Sequence, residues 1–374
     1  MAELFNALRT LQGTQNAVFG NSDASSSDAF TATPLTYDND ADAKAALSQG
    51  TVIVDRTHWT RLEVTGDDRL SFLHNQTTQD FKTRQPGQGC LAVVVTAAAR
   101  IIDLTFAAIA SDSVLMLASP EMGDRLASWF DRYIFPMDRV TFTDHTNTSA
   151  TFTLLGSTSH ATLEQLGFSD VGDMAPYDHQ SATINGYTVR AIAYSGLARP
   201  GYTLWTDAEN AAPLWKALTD IGAVPAGETL WDIWRIEDGV PKQDNELTDS
   251  YNPLEAGLWQ AVSINKGCYI GQEIIARLNT YDGVQQCLYG VQLDSLQPPG
   301  TKLINAKGDR AGTITSSQNT GDGAIALAYI RRKQCEVGAS FAVTAEQTGE
   351  TGTIADIPFS VRSNPADKDK PQLD

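Results

Sequence analysis

The sequence predicts an α+β protein of antiparallel layers, with a separate small β-barrel or sandwich near its C-terminal end. Three observations carry this. Strand-like and helix-like segments alternate irregularly, and several strand candidates sit in hairpin-like pairs, such as Leu91 to Thr96 with Ile101 to Ile109. After about Val284 the composition turns to Gly, Thr and Val in short alternating runs, among them Tyr289-Gly-Val-Gln-Leu293 and Ala324-Ile-Ala-Leu-Ala-Tyr329. No Gly-rich phosphate-binding loop follows a strand, so a doubly wound nucleotide-binding sheet has no support.

The elements read in order as follows. Leu4, Leu8 and Leu11 share one face of a short amphipathic helix within residues 1–20. Asn21 to Asp28 is rich in Ser and Asp and reads as a loop, and the alanine-rich segment after the acidic Asp38 to Asp42 is helical. Thr51-Val-Ile-Val54 is a compact strand. Gly66-Asp67-Asp68 caps a helix carrying Leu70, Leu73 and Phe81, which Gln85-Pro-Gly-Gln-Gly89 breaks. Ser113 to Leu117 is a strand, and Ser119-Pro120 opens a helix whose apolar face holds Met122, Leu126, Trp129, Phe130 and Tyr133. Further strands are expected at Val140 to Thr143, Thr151 to Leu155, Tyr187 to Tyr194 and Tyr202 to Trp205. Helices follow around Leu214 to Ile221 and over Thr229 to Asp238, the last stopped by Gly239-Val-Pro241. Asn364 to Asp374 is polar and charged and reads as a frayed tail.

A chain of 374 residues is too long for one ordinary core and predicts two or three domains. Its 42% hydrophobic content suffices for packed interiors. A formal charge of -18 argues against direct nucleic-acid binding, because phosphate recognition needs basic surface. No apolar run is long enough to span a bilayer, and the first twenty residues lack the charged and apolar regions of a signal peptide, so the expected compartment is the cytoplasm. Cys90, Cys268, Cys287 and Cys335 show no Cys-x-x-Cys spacing, and the five histidines form no His-Glu-x-x-His pattern; no self-contained metal site is expected.

One cysteine has a physical reason to react. Cys268 lies in Lys266-Gly267-Cys268-Tyr269-Ile270-Gly271-Gln272-Glu273, just ahead of a helix start. Backbone N–H groups at a helix N-terminus carry partial positive charge, and the Lys266 ammonium adds more; both favour thiolate. The bland reading, a small buried residue in a tight turn, weighs about equally.

This octapeptide follows Trp231-Asp-Ile-Trp-Arg235-Ile-Glu237-Asp-Gly239-Val-Pro241 and Asn252-Pro-Leu-Glu-Ala-Gly-Leu258. Together they resemble the folate-binding superfamily of the glycine-cleavage T-protein, and the octapeptide itself resembles its YgfZ branch, folate-binding proteins that support iron–sulfur enzymes and tRNA modification. The resemblance extends to Val64–Asp80, Ala99-Arg-Ile-Ile-Asp103, Tyr194-Ser-Gly196 and Pro200-Gly-Tyr202, nearly the whole chain, and is weakest over Thr141 to Ile184.

The resemblance implies a three-domain T-protein-like fold around a central opening. Residues 1–283 would form two interleaved α+β subdomains, about 1–55 with 145–283, and 56–144, followed by a β-barrel over 284–363. It also implies that tetrahydrofolate or a related folate is bound. By position Asp103, Tyr194, Arg235 and Glu237 match residues near the folate, and Trp259 is a further candidate. Each has a plain alternative: a charge at a strand edge for Asp103, packing for Tyr194, a solvated helix face or an ion pair for Arg235 and Glu237, core for Trp259. For Glu237 and Trp259 the alternative is preferred. Leu104 and Leu197 stand where the T-protein carries acidic residues, so two carboxylates expected for aminomethyl transfer are missing. That favours a folate-binding accessory protein, with iron–sulfur client or assembly proteins as partners, over an aminomethyltransferase or a folate-free interaction module.

Overall fold

The computed structural model describes residues 2–20, 33–321, 323–343 and 351–355. The loop expected at Asn21 to Asp28 and the tail expected at Asn364 to Asp374 lie outside the described residues. The chain forms two compact units, one of Met1–Leu70, Thr83–Cys90 and Phe106–Trp231, the other of Ser71–Lys82, Leu91–Thr105 and Asp232–Asp374.

In the first unit, a six-stranded sheet runs in the order His179–Ile184, Tyr187–Ile192, Gly201–Asp207, Ser149–Leu155, Val52–Asp55, Val224–Ala226. Its pairings are antiparallel except the last, which is parallel. Alternate residues on these strands are apolar, and Ile53, Phe152, Leu154 and Leu204 meet Leu8, Leu214, Trp215 and Leu218 from the helices Ala2–Thr14 and Ala211–Asp220. The first helix is also held by charge. Arg9 and Gln12 both donate to the buried Asp55 carboxylate, Gln12 at 2.7 Å, and the Thr57 amide donates to its other oxygen at 2.8 Å. Burial pushes that carboxyl's pKa up, but the Arg9 guanidinium and these donors outweigh it and hold it at about 2.

The sheet of Gly89–Val95, Ile101–Ile109, Ser113–Pro120, Trp59–Thr65 and Thr141–Asp144 contains the expected hairpin, and the division between the units falls within its first two strands. Two sequence expectations differ here. Ser119 and Pro120 end a strand rather than open a helix: Pro120 faces Trp59 at the last register position, where no donor is needed, and the helix begins at Gly123. The helix after Gly66 stops at Gln76, well before Phe81 and the Pro-Gly break.

In the second unit, a closed barrel runs Gln286–Leu293, Ala324–Arg331, Arg310–Asn319, Lys302–Ile304, Ser340–Val343, Thr351–Ala355, all antiparallel. The two alternating runs singled out in the sequence are its central pair, Tyr289 facing Ala328 and Val291 facing Ala326. Val291, Leu303, Ile314, Ala326, Ile330 and Phe341 fill the interior. The fold class is therefore α+β with antiparallel sheets and a C-terminal barrel. Among the described residues no helix is long and apolar enough to cross a membrane.

Candidate functional site

The octapeptide forms a loop leading into the helix Gln272–Thr280. The apolar side of that helix sets the loop's position: Ile275 and Leu278 pack with Tyr269, Leu254, Val262, Val284 and Cys287. Glu273 lies in its first turn, where a carboxylate complements the positive end of the helix dipole. Gly271 has φ +82, and a Cβ there would lie 2.8 Å from the Thr96 carbonyl oxygen, so only glycine fits both the backbone and the gap. Gln272 Nε2 donates to the Lys266 carbonyl at 3.4 Å.

Lys266 is buried at 7% exposure, and its ammonium points inward. It donates to three main-chain carbonyls: His74, Thr77 at 2.6 Å and Gln79 at 2.8 Å. The same Nζ lies 4.4 Å from the Tyr269 ring centroid. These carbonyls lie at and just beyond the end of the Arg69–Gln76 helix, and a cation there satisfies oxygens that the helix leaves open. Beyond the charge that the sequence led one to expect near the thiol, Lys266 ties the loop to the segment 74–79 and caps the end of that helix. Gly267 and Cys268 are exposed, so the loop presents a thiol to solvent from an anchored base. Cys90 and Cys287 are buried.

Trp259 packs half-buried against the same apolar cluster, which supports its core reading. Beside it, Gln260 Oε1 is buried with no hydrogen-bond partner among the described residues, and so is Gln76 Oε1. Asp103 is fully buried near the start of the Ile101–Ile109 strand, ahead of the residues Phe106–Ile109 that pair with Ser113–Pro120, so it is not an exposed charge.

Arg235 belongs to a different cluster. It is 3% exposed, and its Nε donates to Asp232 at 2.5 Å, its Nη1 to Glu246 at 3.3 Å and its Nη2 to Ser316 Oγ at 2.8 Å. Glu246 is itself fully buried and accepts from Ser316 Oγ at 2.7 Å and the Lys242 amide at 2.9 Å. Burial raises the Asp232 pKa, but Arg235, Lys242 and the hydrogen bonds to Gln318 and Arg235 lower it further, for a net downward shift. The arginine's fork is thus engaged by protein carboxylates and docks its helix on the barrel. It does not fit the tail of an anionic ligand, and the ion-pair alternative describes it. Glu237 is half-buried on the same helix.

In the first unit, Tyr194 stacks on Phe106 with centroids 5.1 Å apart and 16° between planes, and Tyr177 lies 5.8 Å away. Burial, then Tyr177, pushes the Tyr194 hydroxyl's pKa up. The arrangement is a small aromatic platform.

Sequence reasoning passed over His74, Asp80, Asp232 and Glu246. His74 and Asp80 stand six residues apart and Glu246 eleven after Arg235, spacings outside the three- and four-residue pairing of a helix face, whereas Asp232 stands three residues before Arg235 on one helix face and could have been found there. Among the described residues no group of three or more His, Cys, Asp or Glu has the arrangement of a metal site.

A folate's pteridine presents N–H donors along a flat ring and needs acceptors beside an aromatic or apolar face. The unpartnered Gln76 and Gln260 oxygens, the Trp259 ring beside the second of them and the buried Asp103 carboxylate suit that chemistry.

A mixed α+β protein with a closed C-terminal barrel and a lysine-anchored thiol loop is the class defined so far. The chain belongs to the family described as the GCVT N-terminal domain, whose model matches residues 15–266. It is 36% identical over 331 residues to a chloroplastic protein of Arabidopsis thaliana named as a transferase, covering 88% of this chain and 76% of that one. An aminomethyltransferase of Herpetosiphon aurantiacus is 24% identical, covering 87% of this chain and 91% of its own. The crystal structure of glycine cleavage system aminomethyltransferase T from Bartonella henselae superimposes with a TM-score of 0.81 over 94% of this chain and 97% of that one, at 18% identity. The T-protein-like fold expected from the motifs is therefore present.

Proposed function

We propose that this chain is a folate-binding accessory protein of the YgfZ type. It would support assembly or repair of iron–sulfur proteins, and through them iron–sulfur-dependent tRNA modification, with Cys268 as its working thiol. The observation that carries the reading is the loop in which a buried lysine ammonium ties down the backbone while the next residue but one offers an exposed sulfur. A structural cysteine gains nothing from such exposure, whereas a thiol that meets a metal-bearing partner needs it. One sulfur cannot hold a cluster alone, so the remaining ligands come from a client protein, a second copy or a small thiol.

In this reading Asp103 and the orphaned glutamine oxygens, all of the second unit, accept from the pteridine. A bound tetrahydrofolate supplies a one-carbon carrier and a redox-active ring. The chain's residues bind and orient it, and Arg235 ties its helix to the barrel through Glu246 and Ser316. The cytoplasm is the proposed compartment.

The tests are separate for thiol and folate. Cys268→Ser is expected to keep the fold and folate affinity and to lose rescue of an iron–sulfur enzyme defect in cells; full rescue refutes the thiol role. Titration calorimetry with tetrahydrofolate is expected to show binding tighter than millimolar, which corresponds to about 4 kcal/mol. A second reading, folate-dependent aminomethyl transfer, draws on the full-length similarity to named aminomethyltransferases. Turnover of an aminomethyl-loaded lipoyl carrier with tetrahydrofolate would establish it. The leucines at 104 and 197 predict its absence.

A further inference from the structure

We propose that His74 and Asp80 form a proton-accepting pair for Cys268, with His74 Nε2 taking the thiol proton and Asp80 fixing the imidazole. This rests on the thiol role given to Cys268 above. The geometry is as follows. His74 Nδ1 lies 3.0 Å from Asp80 Oδ1. An ionised carboxylate only accepts, so Nδ1 carries the hydrogen and Nε2 is left with its lone pair. The imidazole belongs to a residue only 5% exposed, yet among the described residues Nε2 has no hydrogen-bond partner. It faces the thiol loop: a Cβ built on Gly267 would lie 3.7 Å from that nitrogen. The thiol is carried by the next residue, one Cα–Cα step of about 3.8 Å away.

The elements around the ring agree. The Lys266 ammonium holds the carbonyl of His74 itself, so backbone and ring are fixed together from the loop that bears Cys268. The Asp80 carboxylate is oriented in turn by the Lys82 amide at 2.9 Å. The charged groups facing the ring are therefore Asp80 on one side, with Lys266 and Lys82 opposing it. Burial first, then Lys266, keep the imidazole below its ordinary pKa, so at neutral pH it is the uncharged acceptor. In the step itself the S–H bond breaks and an Nε2–H bond forms. The electron pair stays on sulfur, the Nδ1 hydrogen stays in its bond to Asp80, and the product is a thiolate beside an imidazolium. A thiol within reach of a base that a third group orients is the arrangement that activates thiols. A side chain at 267 would stand in van der Waals contact with Nε2.

The test is the pH dependence of iodoacetamide alkylation of Cys268 in the full chain, followed by peptide mass spectrometry so that the other cysteines do not interfere. The wild-type rate across about pH 6 to about pH 9 is the reference profile. His74→Gln should slow alkylation at pH 7 about tenfold against that reference. Asp80→Asn should act in the same direction more weakly. A His74→Gln profile that overlays the wild type overturns the proposal. If that variant melts or loses its circular dichroism, Gly267→Ala decides. It keeps the pair and covers Nε2, so a slowed rate supports the proposal and an unchanged one overturns it. The two readings separate cleanly. Lost rescue by Cys268→Ser with an unaltered His74→Gln profile leaves the thiol role standing and removes the pair. Full rescue with a shifted profile leaves the pair and removes the role.

Discussion

A lysine ammonium surrounded by three carbonyl oxygens is a poor candidate for proton chemistry and a strong one for anchoring. Lys266 satisfies oxygens that end one helix while fixing the residues that present Cys268. Lys266→Met keeps the apolar stem but leaves those oxygens buried without a donor, at about 1–3 kcal/mol for an unsatisfied group. Urea unfolding should show a loss of at least that size, and the thiol should react faster with large reagents as the loop loosens. A denaturation midpoint equal to the wild type's would contradict the anchor. Gly271→Ala should also destabilise, by about 1–3 kcal/mol, because the φ of +82 and the nearby Thr96 oxygen both oppose a Cβ. The sequence showed that residues 266–273 matter. It did not show which way the lysine points, since its partners lie nearly two hundred residues earlier.

At the scale of elements, Arg235 shows how a helix is joined to a barrel through charge. The helix Glu228–Glu237 supplies Asp232 and Arg235, the strand Arg310–Asn319 supplies Ser316 and Gln318, and Glu246 comes from the intervening loop. Tyr251 stacks on Tyr329 of the barrel at 3.4 Å between centroids, and Tyr329 donates to the Glu246 carbonyl at 2.9 Å. Arg235→Met leaves Glu246 buried without its cation and is expected to cost about 3–5 kcal/mol. Pairing that change with Glu246→Gln should restore part of the loss, which thermal melts of the single and double variants would measure. Period-two alternation made the barrel strands legible. The residues that hold the helix to them were not, because a buried ion pair leaves no periodic trace. The same limit explains Ser119-Pro120: a Ser-Pro pair opens helices in isolation, but here the chain is still paired with Trp59 when it reaches the proline.

For the molecule as a whole, two buried groups of the first unit contribute to the pH response in separate ranges. His179 accepts from Arg190 at Nδ1 over 2.7 Å and donates from Nε2 to the Ile109 carbonyl at 2.9 Å. Burial, then Arg190, lower its pKa from 6.5 to about 4. The unfolded chain therefore binds this proton first, so stability falls as the pH drops from about 6.5 to about 4 and levels below. Asp55, held at about 2 against 3.8, contributes stability that is complete above about pH 4 and is lost as the pH falls towards 2. Acid titration of the melting temperature should show both stages, and His179→Gln should shrink the upper one, to which the lowered His58 and His74 also contribute, and leave the lower one in place. A single transition near pH 4.5 in both proteins would refute the assignment.

Local pattern alone determined the α+β class, the hairpin over residues 91–109, the barrel pair and the segment around Cys268, because alternation, turn chemistry and short motifs are properties of neighbours along the chain. Tertiary structure alone decided that Lys266 turns inward, that Arg235 is consumed by Asp232 and Glu246, and that an imidazole from residue 74 stands against residue 267. Those outcomes depend on which distant backbone oxygens, carboxylates and ring nitrogens folding brings within about 3–4 Å, the range at which hydrogen bonds and buried charges act. No spacing along the sequence encodes that distance.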